Sequence, residues 1–482
     1  MSRNGAVVMN FNVFLDEDQR YKYYIVKLLE LKQNTFFSQA QLMEALGVSK
    51  YKIDRFLKDI EEDSELLNLK ISIVVDVSGE IRSQGFNNLV TKKLRLYYLE
   101  QSKQYQLLYE MLVGSNQSAE SLATKLYVSR ASIYNVLKTL KDNLKIYGLK
   151  VKNLKIVGRE LKVRSFFFSL FNDFYCGITK PFSQELNKRI NSFKNLLLVN
   201  KNIYPTKVQE YRLELFIGIS FIRKEKNFLL DESVLDIPEL DLYPYFKLYG
   251  SSKNKSNIDI QNEIQNILFF CYTENLISDP QWEINFKDNK EALDISENFV
   301  KELEKVVTLD IKFKEQIGKE VFRINQKWLY FHFKEATFVF ENQKSYFQEI
   351  YFKCDSIVRT YLGQSSLEKL FEDKEEKVKV YYDYLFLLTT IVPANFIEEM
   401  IYVCVDFSHG KFYNDFIQNS IKSFKNLNIV FEYKITNDTQ IYISDFVLEG
   451  IRCRQVIWKN PPGPNEWKLF GDLIVKLKGG ET

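Results

Sequence analysis

Two stretches of the chain, 80 positions apart, carry one apolar skeleton: Leu42, Leu46, Val48, Ile53 and Phe56, then Leu122, Leu126, Val128, Ile133 and Val136. The spacing 4-2-5-3 predicts two short helices clasped across a tight turn, with one face of the second left free. Upstream, Ile25, Leu28 and Leu29 in the first copy, and Tyr105, Leu108 and Met111 in the second, predict a supporting helix. Ser38 and Ser118 stand at helix starts, Gln41 completes a capping box, and Ser49 and Ser129 precede the third helices. Gly47 suits a left-handed turn; Tyr127 holds that place in the second copy. After each third helix the rhythm turns to strands. Leu69-Lys70-Ile71 leads through Val77-Ser78-Gly79-Glu80-Ile81, and Leu149-Lys150-Val151 through Val157-Gly158-Arg159-Glu160-Leu161. Helix-turn-helix followed by a glycine-containing hairpin predicts a winged helix, twice. A single such pattern fits any αα-hairpin. Two in register, each with caps and a hairpin, favour readers of the DNA major groove.

From residue 166 the pattern becomes aromatic and helical. Phe166, Phe167, Phe168, Leu170, Phe171, Phe174 and Tyr175 open it, and Leu213, Leu215, Phe216, Ile219, Phe221, Ile264, Ile267, Leu268 and Phe269 continue it. A polar loop is expected at 250–257 and a break at Ser278-Asp279-Pro280, separating two all-α parts; the second runs through Trp328, Phe331, Phe333 and Tyr384–Leu388 to Pro393. The last ninety residues read as a small α/β domain. Strands are expected at Ile401–Val405, Ile429–Tyr433 and Gln440–Ser444, a helix from Lys411 to Phe424, and a closing helix after Asn460–Pro464. The loop Asp406-Phe407-Ser408-His409-Gly410 sits where a strand-loop-helix turn holds an anion. The domain limits follow: 10–85, 86–165, 166–280, 281–393 and 394–482.

Charge sharpens this picture. The net charge is only +3, but residues 1–165 hold 26 Lys+Arg against 18 Asp+Glu, a surplus of eight, on an otherwise acidic chain. From 138 to 164 nine Lys/Arg (Lys138, Lys141, Lys145, Lys150, Lys152, Lys155, Arg159, Lys162, Arg164) face only Asp142 and Glu160, a strip suited to phosphates. Base contacts are expected from Ser129, Arg130, Ala131, Ser132, Tyr134, Asn135 and Lys138, since Arg bridges guanine and Asn bridges adenine. The first copy offers Ser49, Lys50, Tyr51, Lys52, Asp54, Arg55 and Lys58, beside an acidic cluster (Asp59, Glu61, Glu62, Asp63) ill-suited to phosphate. The second copy is therefore expected to be the stronger contact. Five scattered cysteines give no disulfide framework and no zinc pattern, and no apolar run is long enough for a membrane span. The expected setting is cytoplasmic. With two histidines and no GxxxxGK, HExxH or GxSxG motif, no catalytic residue, metal or cofactor is expected.

Tandem helix-turn-helix units, two helical modules and a small C-terminal α/β domain resemble the Mga/AtxA regulators of Gram-positive bacteria. The resemblance covers the whole chain, most specifically residues 10–165. It implies a mainly α multidomain protein: two winged helix-turn-helix domains, two bundles resembling phosphotransferase-system regulation domains (PRDs), and a C-terminal domain resembling EIIB. The implied partners are double-stranded DNA, a second copy or higher homo-oligomer, and phosphotransferase-system proteins. PRDs take phosphate on histidine, and none precedes His332, so His332 is the candidate acceptor; between Phe331 and Phe333 it also fits a core position. An EIIB loop opens on cysteine, whereas Cys404 here lies within the preceding strand, which favours an interaction-only role. The alternative function is a phosphotransferase-system acceptor without a direct DNA role. RNA antitermination, known in other PRD proteins, would need a β-rich start, and this chain starts helical.

Overall fold

The segment after residue 16 winds into α1 (Glu17–Leu31), with Ile25, Val26 and Leu29 turned inward. Strand β1 (Phe37–Ser38) leads to α2 (Gln39–Leu46) and α3 (Lys50–Leu66). The hairpin that follows is β2 (Ser72–Val75) and β3 (Glu80–Gln84), giving a three-stranded antiparallel sheet in the order β1-β3-β2. The second copy repeats the plan with α5 (Lys103–Val113), α6 (Ala119–Lys125), α7 (Arg130–Ile146), β4 (Lys150–Lys152) and β5 (Lys155–Val157). Between them lies α4 (Asn88–Gln101). This computed structural model describes residues 11–32, 37–114, 118–230, 242, 244–246, 257–277, 290–334, 347–348, 350–397, 399–423, 428–459 and 461–478.

The capping chemistry is as the sequence suggests. Ser38 and Gln41 form a reciprocal box, Ser118 forms one with Ser121, and Ser49 and Ser129 accept the backbone N–H of Lys52 and Ser132. Leu42, Ile53, Phe56, Leu122, Leu126 and Ile133 are buried, while Leu46, Val48, Val128 and Val136 are half-buried. Two strand assignments need correction. In the first wing, Leu69–Ile71 precedes the strand, and the turn spans 76–79 with the Asp76 carboxylate accepting Ser78 and Glu80 N–H. In the second, the turn is Asn153-Leu154, both left-handed, at φ 49° and 56°. Glu160 and Leu161 are not strand; they open α8 (Glu160–Tyr175), with Arg159 as its N-cap. Burial decides this: α8 is covered on nearly every side, a demand a two-stranded ribbon could not meet.

By packing, the described residues up to Ile277, with 331–334, form one unit; the rest form another. In the first unit, α8, α9 (Gln184–Asn200), α10 (Lys207–Glu225) and α11 (Asn257–Thr273) carry the aromatic core. Phe168, Phe216, Phe270, Phe331 and Phe333 meet in it, Phe216 on Phe270 at 4.3 Å and Phe331 on Phe333 at 4.7 Å. Of the loop expected at 250–257, residues 250–256 lie outside the described residues and Asn257 is already helical; the break at 278–280, Phe424 and Asn460 also lie outside them.

The second unit contains α12 (Lys290–Glu304), α13 (Ile311–Phe331, up to its last residue), α14 (Phe352–Leu362), the short α15 (Ser365–Glu368), α16 (Lys374–Ile391) and α17 (Ala394–Ile397). Its core encloses Asn325, which donates to Ser296 and accepts from Trp328 and Tyr384, so the buried amide is satisfied. The C-terminal sheet is entirely parallel: β6 (Ile401–Val405), β7 (Ile429–Glu432), β8 (Ile441–Ser444) and β9 (Arg454–Ile457), in the order β7-β6-β8-β9. Helices α18 (Lys411–Lys422) and α19 (Pro464–Lys478) pack on it through Ile417, Ile421, Phe470 and Ile474. Strand β9 escapes the sequence reading because Arg454 and Gln455 are exposed and only Val456 and Ile457 are apolar.

Tyr127 adopts φ 52° where the first copy has Gly47 at φ 66°. A β-carbon in the left-handed region costs about 1–2 kcal/mol, and the 96% exposed ring has little packing to offset it. Tyr127→Gly should therefore raise stability by about 1 kcal/mol in urea unfolding; an unchanged or lowered midpoint contradicts this account.

Candidate nucleic-acid interface

In a tri-helical reader the third helix presents its N-terminal and outward residues. In the second copy the apolar side of α7 (Ile133, Leu137, Leu140, Leu144) is buried, which by helical period leaves Arg130, Ala131, Tyr134, Asn135 and Lys138 exposed. Ser129 is exposed and its hydroxyl caps the helix, while Ser132 is half-buried. The Arg130 guanidinium reaches Glu120 on α6 at 2.8 Å and lies 5.8 Å from the Tyr134 ring centre. Glu120 is held below the usual carboxylate range, first by its own backbone N–H, then by the Ser118 hydroxyl and Arg130. The sequence reading missed this pair. Both partners are exposed, so the pair is cheap to open when a phosphate or base competes for Arg130.

The wing adds Lys152 and Lys155, opposite each other across the ladder and both exposed. Arg159, expected there, is exposed at the start of α8 instead. The basic strip also loses two members. Arg164 is fully buried, and Lys162 is half-buried with its stem against Gly148. The reason is α8: once the chain is helical from 160, positions 163 and 164 turn inward.

The first copy is arranged differently. Arg55 is tied to Asp18 on α1 at 2.7 Å and lies over Phe56; Lys52 is half-buried, 6.0 Å from the Tyr21 ring; Lys58 pairs with Glu62 at 3.6 Å. Ser49, Lys50, Tyr51 and Asp54 stand exposed at its N-terminus, with Asp54 accepting from the Gln39 amide. The acidic cluster turns out to be partly internal. Glu61 accepts the Ile73 N–H and so pins the wing, and Asp63 pairs with Lys22.

Both readers belong to the same packed unit, and the segment before α1 is part of the reason. Phe11 and Phe14 pack against Tyr147 and Phe166 with ring centres 5.3–6.0 Å apart. Ser102 donates to the Phe14 carbonyl, Asp16 accepts the Lys103 N–H, and Asn143 donates to the Val13 carbonyl. On α4, Arg95 joins the Asn12 side chain to Asp173 on α8.

The other candidate sites fare as follows. His332 sits at φ 48°, half-buried just beyond α13, with its neighbours Phe331 and Phe333 in the core of the first unit. In the C-terminal loop the amides are already bonded. Asp406 N–H goes to Ile443, Phe407 N–H to the Asn414 side chain, Ser408 N–H to the Asp445 carboxylate and Gly410 N–H to Phe407. Few donors remain there for an external anion. Burial pushes the Cys404 thiol up to about 11, so it is no thiolate at neutral pH. Among the described residues no group of His, Cys, Asp and Glu is placed to hold a metal ion, and no helix is long and apolar enough to cross a membrane.

The geometry defines a class: a tandem winged-helix protein whose second reader carries the open basic face. Residues 87–171, from the start of α4 into α8, match the family described as the Mga helix-turn-helix domain. The chain is also similar to the capsule synthesis positive regulator AcpB of Bacillus anthracis, at 21% identity over 216 residues. That match covers 44% of this chain and 44% of AcpB, less than half the length of either. Over residues 87–171 the chain is thus similar to the Mga helix-turn-helix family.

A lysine behind the wing also stands out. Lys226, beyond α10, donates to the Gly114 carbonyl at the end of α5. Burial, then Arg223, pushes its ammonium down to about 8, with Glu110 and Glu225 opposing and Lys155 adding to the fall. Between that value and the ordinary 10.5 the unfolded chain holds more protons than the folded one, so stability should rise with pH across this window. Urea unfolding from pH 8 to 10 should show wild type gaining on Lys226→Met. A constant difference between the two would refute the assignment.

Proposed function

We propose that this chain is a DNA-binding transcription regulator of the cytoplasm whose second winged helix is the principal contact. One observation carries the reading. Residues 87–171, matched to the Mga helix-turn-helix domain, contain the α7 face on which Arg130, Tyr134, Asn135 and Lys138 are all exposed. In this reading Arg130 and Asn135 read base edges, while Lys138, Lys152, Lys155 and Arg159 neutralise phosphates and set register. Lys50 supplies a lesser contact from the first copy, and Lys52 and Arg55 would have to leave Tyr21 and Asp18 to join it. The similarity to AcpB supports a regulatory role.

The finer reading follows the domain limits expected from the sequence. Helical modules at 166–280 and 281–393 act as PRD-like regulators, and the domain at 394–482 acts as an EIIB-like element for self-association. Exposed Phe412 and Phe416 on α18, beside a groove of about 540 Å³ lined by Phe416, Ser420 and Trp467, support that last role. The alternative, a phosphotransferase-system acceptor with no DNA role, draws little from Cys404, whose thiol is buried and neutral, and leaves His332 as its candidate.

Fluorescence anisotropy with a random-sequence duplex pool, across a salt series, tests the proposal. Affinity should fall steeply with salt, by about 0.9 in log–log slope for each phosphate neutralised. Arg130→Ala with Lys138→Ala should weaken binding at least about tenfold, and Asn135→Ala should relax selection at one base pair by about 1–3 kcal/mol. Salt-independent binding, or binding unaltered by these changes, would overturn it.

A further inference from the structure

A chain of four buried charges runs from the second wing into the helices behind it. Arg223 on α10 embraces Glu160 with two of its nitrogens, Nε at 2.9 Å and Nη2 at 2.6 Å. Glu160 also receives Arg164 Nε at 2.9 Å, and Arg164 reaches Glu263 on α11 at 2.5 Å and 2.7 Å. Arg164 and Glu263 are fully buried, Arg223 is 1% exposed and Glu160 is 9% exposed. The chain is neutral overall and each charge faces an opposite one, which is what burial demands of ions. Its inner end is closed by the Leu230 N–H on Glu263 and by the Phe228 carbonyl on Arg164.

Its outer end is the informative one. Arg223 Nη2 also donates to the Ile156 carbonyl of β5, at 3.4 Å. In a ladder closed by the two-residue turn Asn153-Leu154, the pairs Lys152/Lys155 and Lys150/Val157 exchange the strand hydrogen bonds. The Ile156 carbonyl therefore faces away from β4, and the arginine occupies that edge. A two-stranded ribbon of three residues a side is marginal alone and needs an anchor. Ile156 supplies the apolar half of the anchor, at 0% exposure, and Arg223 the polar half.

We infer that Arg223 is a positioning residue for the second wing: through the Glu160–Arg164–Glu263 chain, the arrangement of α8, α10 and α11 determines how firmly Lys152 and Lys155 are held for phosphate contact. The inference rests on the DNA-binding reading above. It assigns the helices behind the reader a direct mechanical hold on affinity, since a shift of α11 against α8 must break a shared, desolvated ion pair. Lysine cannot replace Arg223 here, because one ammonium cannot serve both Glu160 oxygens and the Ile156 carbonyl in a planar fork.

Hydrogen exchange and DNA titration test this together. In the wild-type protein the Lys150 and Val157 amides should exchange as slowly as those of α8, and in Arg223→Lys about tenfold faster or more, with α7 unchanged. Against the random duplex pool, Arg223→Lys should lower the salt slope by about one to two, the amount expected from losing one or two lysine–phosphate contacts. Adding it to the Lys152→Ala/Lys155→Ala double variant should cost nothing further. A purely structural role would lower the melting temperature but leave slope and exchange pattern intact in the folded protein. Should Arg223→Lys fail to fold, wild-type exchange still decides: fast exchange at Lys150 and Val157 overturns the inference. If the wild type binds DNA and Arg223→Lys matches it in slope and exchange, this inference alone falls. If the wild type shows no salt-dependent binding, the DNA reading falls and takes the inference with it.

Discussion

Phe11 and Phe14 sit against Tyr147 and Phe166, and that aromatic contact helps make two winged helices one body. Tyr147 ends α7 and Phe166 lies on α8, so rings from before the first reader are clamped to the far end of the second. Stacked and edge-to-face pairs of this kind add about 0.5–1.5 kcal/mol each beyond the area they bury. Around them, Asn12, Asp16, Ser102 and Asn143 place directed hydrogen bonds that a greasy contact alone would lack. A polyanion meeting one reader therefore meets the other in a set relation, which a flexible linker would not provide.

The two copies have diverged in how they use charge. In the first, cations are consumed at home: Arg55 by Asp18, Lys22 by Asp63, Lys58 by Glu62. In the second, the exposed pair Arg130–Glu120 is the one ion pair recorded on the α7 face among the described residues, and the lysines of the wing tip stand in solvent. Cations standing in solvent break no protein ion pair when they meet phosphate, and each contact releases counterions condensed on the polyanion. The asymmetry in function proposed here follows from that difference in free charge rather than from any difference in fold.

Behind the second reader the charges are spent the opposite way, on a buried chain that adds little net stability but demands one geometry. Ion pairs out of water are costly, and removing one partner strands the other. Arg223 thus specifies how α8 meets α10 and Arg164 how α8 meets α11, while the surrounding phenylalanines supply the apolar driving force. The C-terminal sheet shows a related economy, its loop amides satisfied by Asn414 and Asp445 within the domain itself.

Much of this was legible in the residues. Leu42 and Leu122 with their partners, the serine caps and the parity of two repeats determined the helix-turn-helix units, because capping and apolar periodicity are local and survive without neighbours. Strands β6, β7 and β8 were likewise readable from their apolar runs, whereas exposed β9 was not. Tertiary structure alone decided the rest. That Arg164 leaves the basic strip for the core, that Glu61 and Asp63 serve the first reader's own packing, and that residues 11–16 dock on the second reader all depend on contacts between distant positions. A charged residue reads the same in sequence whether it faces solvent or a buried partner. Only the fold brings that partner within hydrogen-bonding distance, and so only the fold divides the lysines and arginines offered to a polyanion from those that hold the protein together.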